Sequence, residues 1–153
     1  MYHWVNGVPS CYNGCGWVQV SQTRFPGMLL QTEDSDTDQP YAIKFIENRW
    51  WIGYQGEWIG YFPGELWEGS YTGIGLAQWF GEVCTDRALT CTDMGSGIFS
   101  DSSEAAQMDD MQFLHTDGTS EPADAAFYAT RPRFWDVTDL GGSSFRYGGP
   151  GGC

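Results

Sequence analysis

Residues 50–83, WWIGYQGEWIGYFPGELWEGSYTGIGLAQWFGEV, decide the fold. Their aromatic runs are cut at Gln55-Gly56 and Pro63-Gly64, where proline cannot donate to a ladder and glycine supplies the dihedrals of a turn. The spacing predicts antiparallel strands over 49–54 and 57–62, one helical turn at 65–68, and a returning strand over 74–85. In that last strand the period of two puts Gln78, Phe80 and Glu82 on one face and Trp79, Gly81 and Val83 on the other.

Outward from this stretch the same signals recur. Tyr41 to Glu47 alternates and is followed by Asn48 as a turn, so it pairs with 49–54. Trp17, Gln19 and Ser21 share a face of a strand emerging from the Cys11–Cys15 loop, and residues 28–31, 127–130, 134–137 and 144–147 read as further short strands. Residues 101–124 carry seven Asp or Glu and no Lys or Arg, and within them Glu104 to Met111 reads equally as a short surface helix or an exposed loop. About nine short strands, no long helix and no internal repeat point to an all-β antiparallel sandwich with long loops. At 153 residues the chain is the length of a single domain, 1–153.

Composition narrows the partners. Seven Lys and Arg against twenty Asp and Glu leave a net charge of -13, which repels phosphate backbones and anionic headgroups, so neither nucleic acid nor membrane is expected. No apolar run approaches the roughly 20 residues that span a bilayer. Of the five cysteines, Cys11 with Cys15 and Cys84 with Cys91 are spaced for two local disulfides, and Cys153 has no local partner and is free to bridge to another chain. Bridges imply an oxidising, extracellular setting, although no basic segment followed by an apolar one opens the sequence. The chain is therefore expected to have lost a signal or to begin inside a longer precursor. Neither histidine, His3 or His115, lies near a cysteine pair, which argues against zinc. The acidic run Glu33 to Asp38 lacks the glycine and distal glutamate of a calcium loop and reads as a solvated hairpin tip, so no metal or other cofactor is expected.

The catalytic chemistry on offer is carboxylate chemistry. Gly95-Ser96-Gly97 lacks the flanking spacing of a serine nucleophile, and cysteine nucleophiles compete with disulfides. Carboxyl pairs hydrolyse peptides and glycosides when their environments differ. Glu82 stands out because it lies mid-strand among bulky aromatics and beside small Gly81, with an edge glutamate facing water as the plain alternative. Glu57 and Glu65 flank a turn and read as solvated. A glycosidase-like pair of Glu82 with Glu57 or Asp136 is a further reading. Most tryptophans must be core, leaving one or two to line a groove and stack on sugars or proline rings.

Taken in order, Ser10-Cys11-Tyr12-Asn13, Cys15-Gly16-Trp17-Val18-Gln19, Asn48-Arg49-Trp50-Trp51-Ile52, Ile59-Gly60-Tyr61-Phe62-Pro63, Leu66-Trp67, Trp79-Phe80-Gly81-Glu82-Val83, Met94-Gly95-Ser96-Gly97 and the terminal Tyr147 to Cys153 resemble the neprosin family. Its members are secreted glutamic endopeptidases that cleave next to proline, with an antiparallel β-sandwich and two glutamates across a groove. The resemblance covers nearly the whole chain. It implies that Glu82 is the second catalytic glutamate, that Gln78, Trp50, Trp51, Tyr61, Trp17 and Gln19 line the substrate groove, and that the partner is a peptide. The family's first glutamate lies in a Glu-Ala-Gly-Trp-like segment upstream of the Cys-Tyr-Asn motif, whereas only ten residues precede Cys11 here. The resemblance therefore implies the C-terminal portion of the catalytic domain, with a second chain or another carboxylate completing the pair. The rival reading is a non-catalytic extracellular module that binds glycan or proline-rich peptide, or its own copies, through an aromatic groove.

Overall fold

The computed structural model describes residues 3–28, 40–84 and 91–152. The chain folds as two compact units, Met1–Leu76 and Ala77–Cys153. It is all-β: eleven strands, every ladder antiparallel, and no α-helix among the described residues. Among the described residues no helix is long and apolar enough to cross a membrane.

The first unit opens with a hairpin of β1 (Trp4–Val5) and β2 (Val8–Pro9) around Asn6-Gly7. Asn6 and Gly7 both take positive φ, 51° and 76°, as a two-residue turn matched to strand twist requires. The Asn-Gly turn was legible, but the strands around it were too short for the pattern to show. A four-stranded sheet follows in the order β3 (Val18–Gln19), β6 (Glu57–Pro63), β5 (Arg49–Tyr54), β4 (Tyr41–Ile46). The strands expected at 41–47, 49–54 and 57–62 are thus present, and Gly64–Trp67 forms the expected helical turn, of 3-10 type. The one expected at 28–31 and the acidic run Glu33 to Asp38 lie, apart from Met28, outside the described residues.

Register settles which aromatics are core. Trp50 lies opposite Phe62 across β5 and β6, and both are buried, at 6% and 4% exposure. The Trp50 indole packs on Phe45 and Tyr71 and donates to the Tyr71 carbonyl at 2.9 Å. Trp17 lies over Gly60, where an added Cβ would collide with the Val18 carbonyl. That glycine is required by close approach.

In the second unit β10 (Asp136–Gly141), β11 (Ser144–Gly148) and β7 (Ala106–Met108) form one sheet, and β8 (Gln112–Leu114) with β9 (Ser120–Pro122) forms a hairpin. Met111, Ala123 and Phe145 are its core, with Trp79, Phe113, Phe127 and Tyr147 packed against them. Residues 106–108 are neither helix nor free loop. Ala106, Gln107 and Met108 pair with Tyr147, Arg146 and Phe145, so a partner strand distant in sequence decides what local composition leaves open. The strand expected at 127–130 has no ladder, and Phe127 instead packs its ring on Phe145 at 5.2 Å.

His3 joins the opening hairpin to the aromatic core. It is buried against Phe62 and Trp67, with ring centroids at 4.8 and 5.4 Å, while its Nδ1 lies 3.0 Å from the Ser10 hydroxyl. Trp67 Nε1 donates to the Trp4 carbonyl at 2.9 Å, fastening the same hairpin. Burial holds the His3 pKa below its ordinary 6.5. The unfolded chain therefore binds more protons than the folded one as pH falls below about 6.5, so folding stability present above that pH is lost through the window. Asp117 is likewise lowered, first by its hydrogen bond from the Thr119 side chain, but acts only below its ordinary 3.8. Thermal unfolding midpoints should decline between pH 6.5 and 5, and His3→Phe should flatten that decline; an unchanged slope in the variant counts against the hairpin's dependence on neutral His3.

Candidate functional site

Ala77 to Cys84 holds the period of two that the sequence suggests. Exposure alternates residue by residue, with Gln78, Phe80, Glu82 and Cys84 outward and Ala77, Trp79, Gly81 and Val83 half-buried. The alternation comes without a sheet: no strand includes residues 74–84, and no backbone hydrogen bond joins 77–84 to another described residue. Side chains hold this segment in place. Trp79 meets Phe113 edge-on at 5.9 Å. Gly81 lies so close to Tyr147 that an added Cβ would come within 2.7 Å of the ring carbons and 2.9 Å of Met94 Sδ.

Glu82 is therefore exposed and aimed away from the core of its unit. Gln78 shares its face, and so does Phe80, 59% exposed. Phe80 was not among the expected site residues, although the period that places it beside Glu82 is plain in the sequence.

The candidate aromatics of the first unit separate onto two faces of the four-stranded sheet. Trp51 and Tyr61 are cross-strand neighbours at 4.7 Å, extended by Trp58 at 5.9 Å from Trp51, and the Arg49 guanidinium lies 5.2 Å above Tyr61. Both expected rings are half-buried, and Trp58 is 37% exposed. Trp50 is on the opposite face and buried, so its indole serves the core and offers no open ring face. Trp17 packs edge-on against Phe62 at 5.2 Å and donates to Gln19 Oε1 at 3.1 Å. Gln19 in turn donates to the carbonyls of Ser21 and Arg24 at 2.7 and 2.6 Å. Those bonds make it a brace for the loop after β3.

The two carboxylates named as alternative partners for Glu82 have structural employment. Glu57 accepts from the hydroxyl of Ser21 and pairs with Arg24 Nε at 3.4 Å. Asp136 accepts the Ser100 amide at 2.8 Å. Among the described residues no group of three or more His, Cys, Asp or Glu is arranged to hold a metal.

Of the expected disulfides, Cys11–Cys15 is present with Cα atoms 5.8 Å apart. Cys84–Cys91 is not: Cys84 is a free, exposed thiol, and Cys91 is bonded to a cysteine other than Cys84. The reason lies in the strand partner. Met94 forms an antiparallel bridge to Gly149, with amide-to-carbonyl distances of 3.0 and 3.3 Å, which ties the segment after Cys91 to the C-terminal end of the chain. The close spacing of Cys84 and Cys91 in sequence carried no information about this pairing. Cys153 lies outside the described residues.

The sequence model of the neprosin family matches residues 2–150, and the chain belongs to that family. The match spans both units.

A thiol reagent applied to the folded protein should label Cys84 rapidly, and peptide mapping after digestion should find Cys91 unlabelled until reductant is added. Cys84→Ser should abolish the rapid phase. A Cys84-containing peptide recovered disulfide-linked to Cys91 would contradict the pairing described here.

Proposed function

We propose that this member of the neprosin family hydrolyses peptides in an oxidising, extracellular compartment, as a glutamic endopeptidase directed to proline-containing sequences, with Glu82 as one carboxyl of its catalytic pair. The observation that carries the reading is the rigid outward display of Glu82. Trp79 and Gly81 pin the segment from behind, and Glu82 accepts no hydrogen bond and forms no ion pair with another described residue. Membership of the family supports the same assignment, because Trp79-Phe80-Gly81-Glu82-Val83 resembles the segment that carries the family's second glutamate. The Cys11–Cys15 bridge supports the compartment.

In a carboxyl pair the two groups divide the work. One, ionised, takes a proton from water as it attacks the scissile carbonyl. The other, kept protonated, donates a hydrogen bond to the carbonyl oxygen and then its proton to the departing amine. Neither role is performed by an isolated carboxylate in water, so a second carboxyl facing Glu82 is required. In the family that group comes from a segment ahead of the Cys-Tyr-Asn motif, and a second chain or another carboxylate of this one are the further sources. The pairing makes the reaction an acid one, since one member must hold its proton.

A second reading rests on the ring cluster of Trp51, Trp58 and Tyr61, whose partial exposure suits stacking on sugar or proline rings. It treats the chain as a binding module, and it predicts a tryptophan fluorescence change with ligand and no turnover.

The deciding assay is cleavage of a proline-containing fluorogenic peptide at acid pH. Glu82→Gln should lower the rate at least about a hundredfold, the scale of a lost general acid or base. A rate unchanged by that substitution removes Glu82 from the mechanism.

A further inference from the structure

Resting on the peptide reading above, we infer that Ala77–Cys84 takes up an extended peptide as an added β-strand, and that Phe80 selects an apolar side chain two residues away from the peptide residue facing Glu82. The starting point is a conflict between shape and bonding. The segment has the strict in-and-out alternation of a strand, yet its amides and carbonyls make no hydrogen bond to another described residue. Trp79 against Phe113, and Gly81 against Tyr147 and Met94, hold it extended without a ladder. Backbone groups held in an extended row and unpaired with any other described residue are the template that peptide strand addition uses, with main-chain bonds giving affinity and alternate side-chain contacts giving selectivity.

Strand geometry then states what a docked peptide would meet. Successive residues rise about 3.3 Å, so Phe80 and Glu82 project from the outer face about 6.6 Å apart. Directly opposed side chains on neighbouring strands have Cβ atoms about 5 Å apart. The peptide residue opposite Glu82 is thus brought under the carboxylate, and the one two positions along meets the Phe80 ring. That ring is 59% exposed, so it has apolar area to bury against an aliphatic or aromatic side chain but no hydrogen-bonding group to satisfy a polar one. Gln78, a further two residues on, places an amide over the next same-face position.

The test is titration calorimetry of the whole chain with synthetic alanine-serine peptides bearing Phe, Leu or Gly at one central position. The Phe and Leu peptides should bind about tenfold more tightly than the Gly peptide, the scale of one aromatic contact and its buried area. In Phe80→Gly that preference should fall below about twofold, whereas Phe80→Leu should keep most of it. Circular dichroism should show both variants folded like the wild type, because Phe80 is exposed and lies outside the core cluster. Methylating alternate backbone nitrogens of the Phe peptide should weaken binding about tenfold in one of the two phases and little in the other, since only alternate amides of an added strand face its neighbour. No binding, a preference that survives Phe80→Gly, or equal tolerance of both methylation phases would overturn the inference. Its failure is separable from that of the peptidase reading. Cleavage that needs Glu82 but ignores the central residue sinks the Phe80 assignment alone, and Phe80-dependent binding with cleavage unaffected by Glu82→Gln sinks only the catalytic one.

Discussion

Everything proposed for this protein depends on the contact between Gly81 and the ring of Tyr147. The two approach so closely that a single methyl on Gly81 would come within 2.7 Å of the ring. The close approach, which leaves room for no side chain at residue 81, packs the backbone one residue before Glu82 against the ring, and Trp79 on Phe113 packs it on the other side. Tyr147 is itself fixed, since it lies in β11 between β10 and β7, with Val137 and Ala106 as its cross-strand partners. The position of Glu82 is thus inherited from a three-stranded sheet of which it is no part.

What the sequence made legible divides along the same line. Local chemistry was readable wherever it was sufficient. The turns at Asn6-Gly7, Asn48 and Gln55-Gly56 take the positive φ their residues suggest, and the strands they join follow. The alternation through Gln78, Phe80 and Glu82 was readable too. What failed to show was partnership across sequence. Residues 106–108 become a strand only because β11 lies beside them, and 77–84 stays unladdered although its pattern is better than that of several true strands. The Cys84–Cys91 pairing failed for the same reason, being a guess from proximity in sequence where the Met94–Gly149 bridge sets the geometry.

The aromatic residues of the first unit show how register turns composition into assignment. Trp50 and Trp51 are adjacent and chemically identical, and the sequence offered both as groove residues. The strand puts them on opposite faces, and pairing with Phe62 and Tyr61 makes one core and the other half-open. Beyond Ile52 the register shifts, and Trp58 pairs with Gly53 on the face of Trp51. Gly53 gives it room, since a Cβ there would sit 3.0 Å from the indole. Without that irregularity a strict period of two would have placed Trp58 with Phe62, so the ring cluster exists because of a bulge that composition does not announce.

In a chain with twenty acidic residues, the case for any one of them has to rest on contrast. Most of the carboxylates with resolved contacts serve the fold: Glu57 binds Ser21 and Arg24, Glu65 accepts from Asn48, Glu47 pairs with Arg49, Asp136 and Asp139 accept backbone amides, and Asp117 closes the turn at Thr119. Each of these carboxylates already has a donor or a guanidinium beside it. Glu82 has no such partner among the described residues, yet its backbone is seated more firmly than a solvated loop carboxylate would be. A group that is rigidly placed and electrostatically unanswered gains most from meeting something else, and for a carboxylate that something is a proton, a water molecule or a donor on a ligand. The packing of Trp79 and Gly81 around it, without a structural task for the carboxylate itself, is what separates Glu82 from the acids that serve the fold, and it holds whether the ligand is cleaved or only bound.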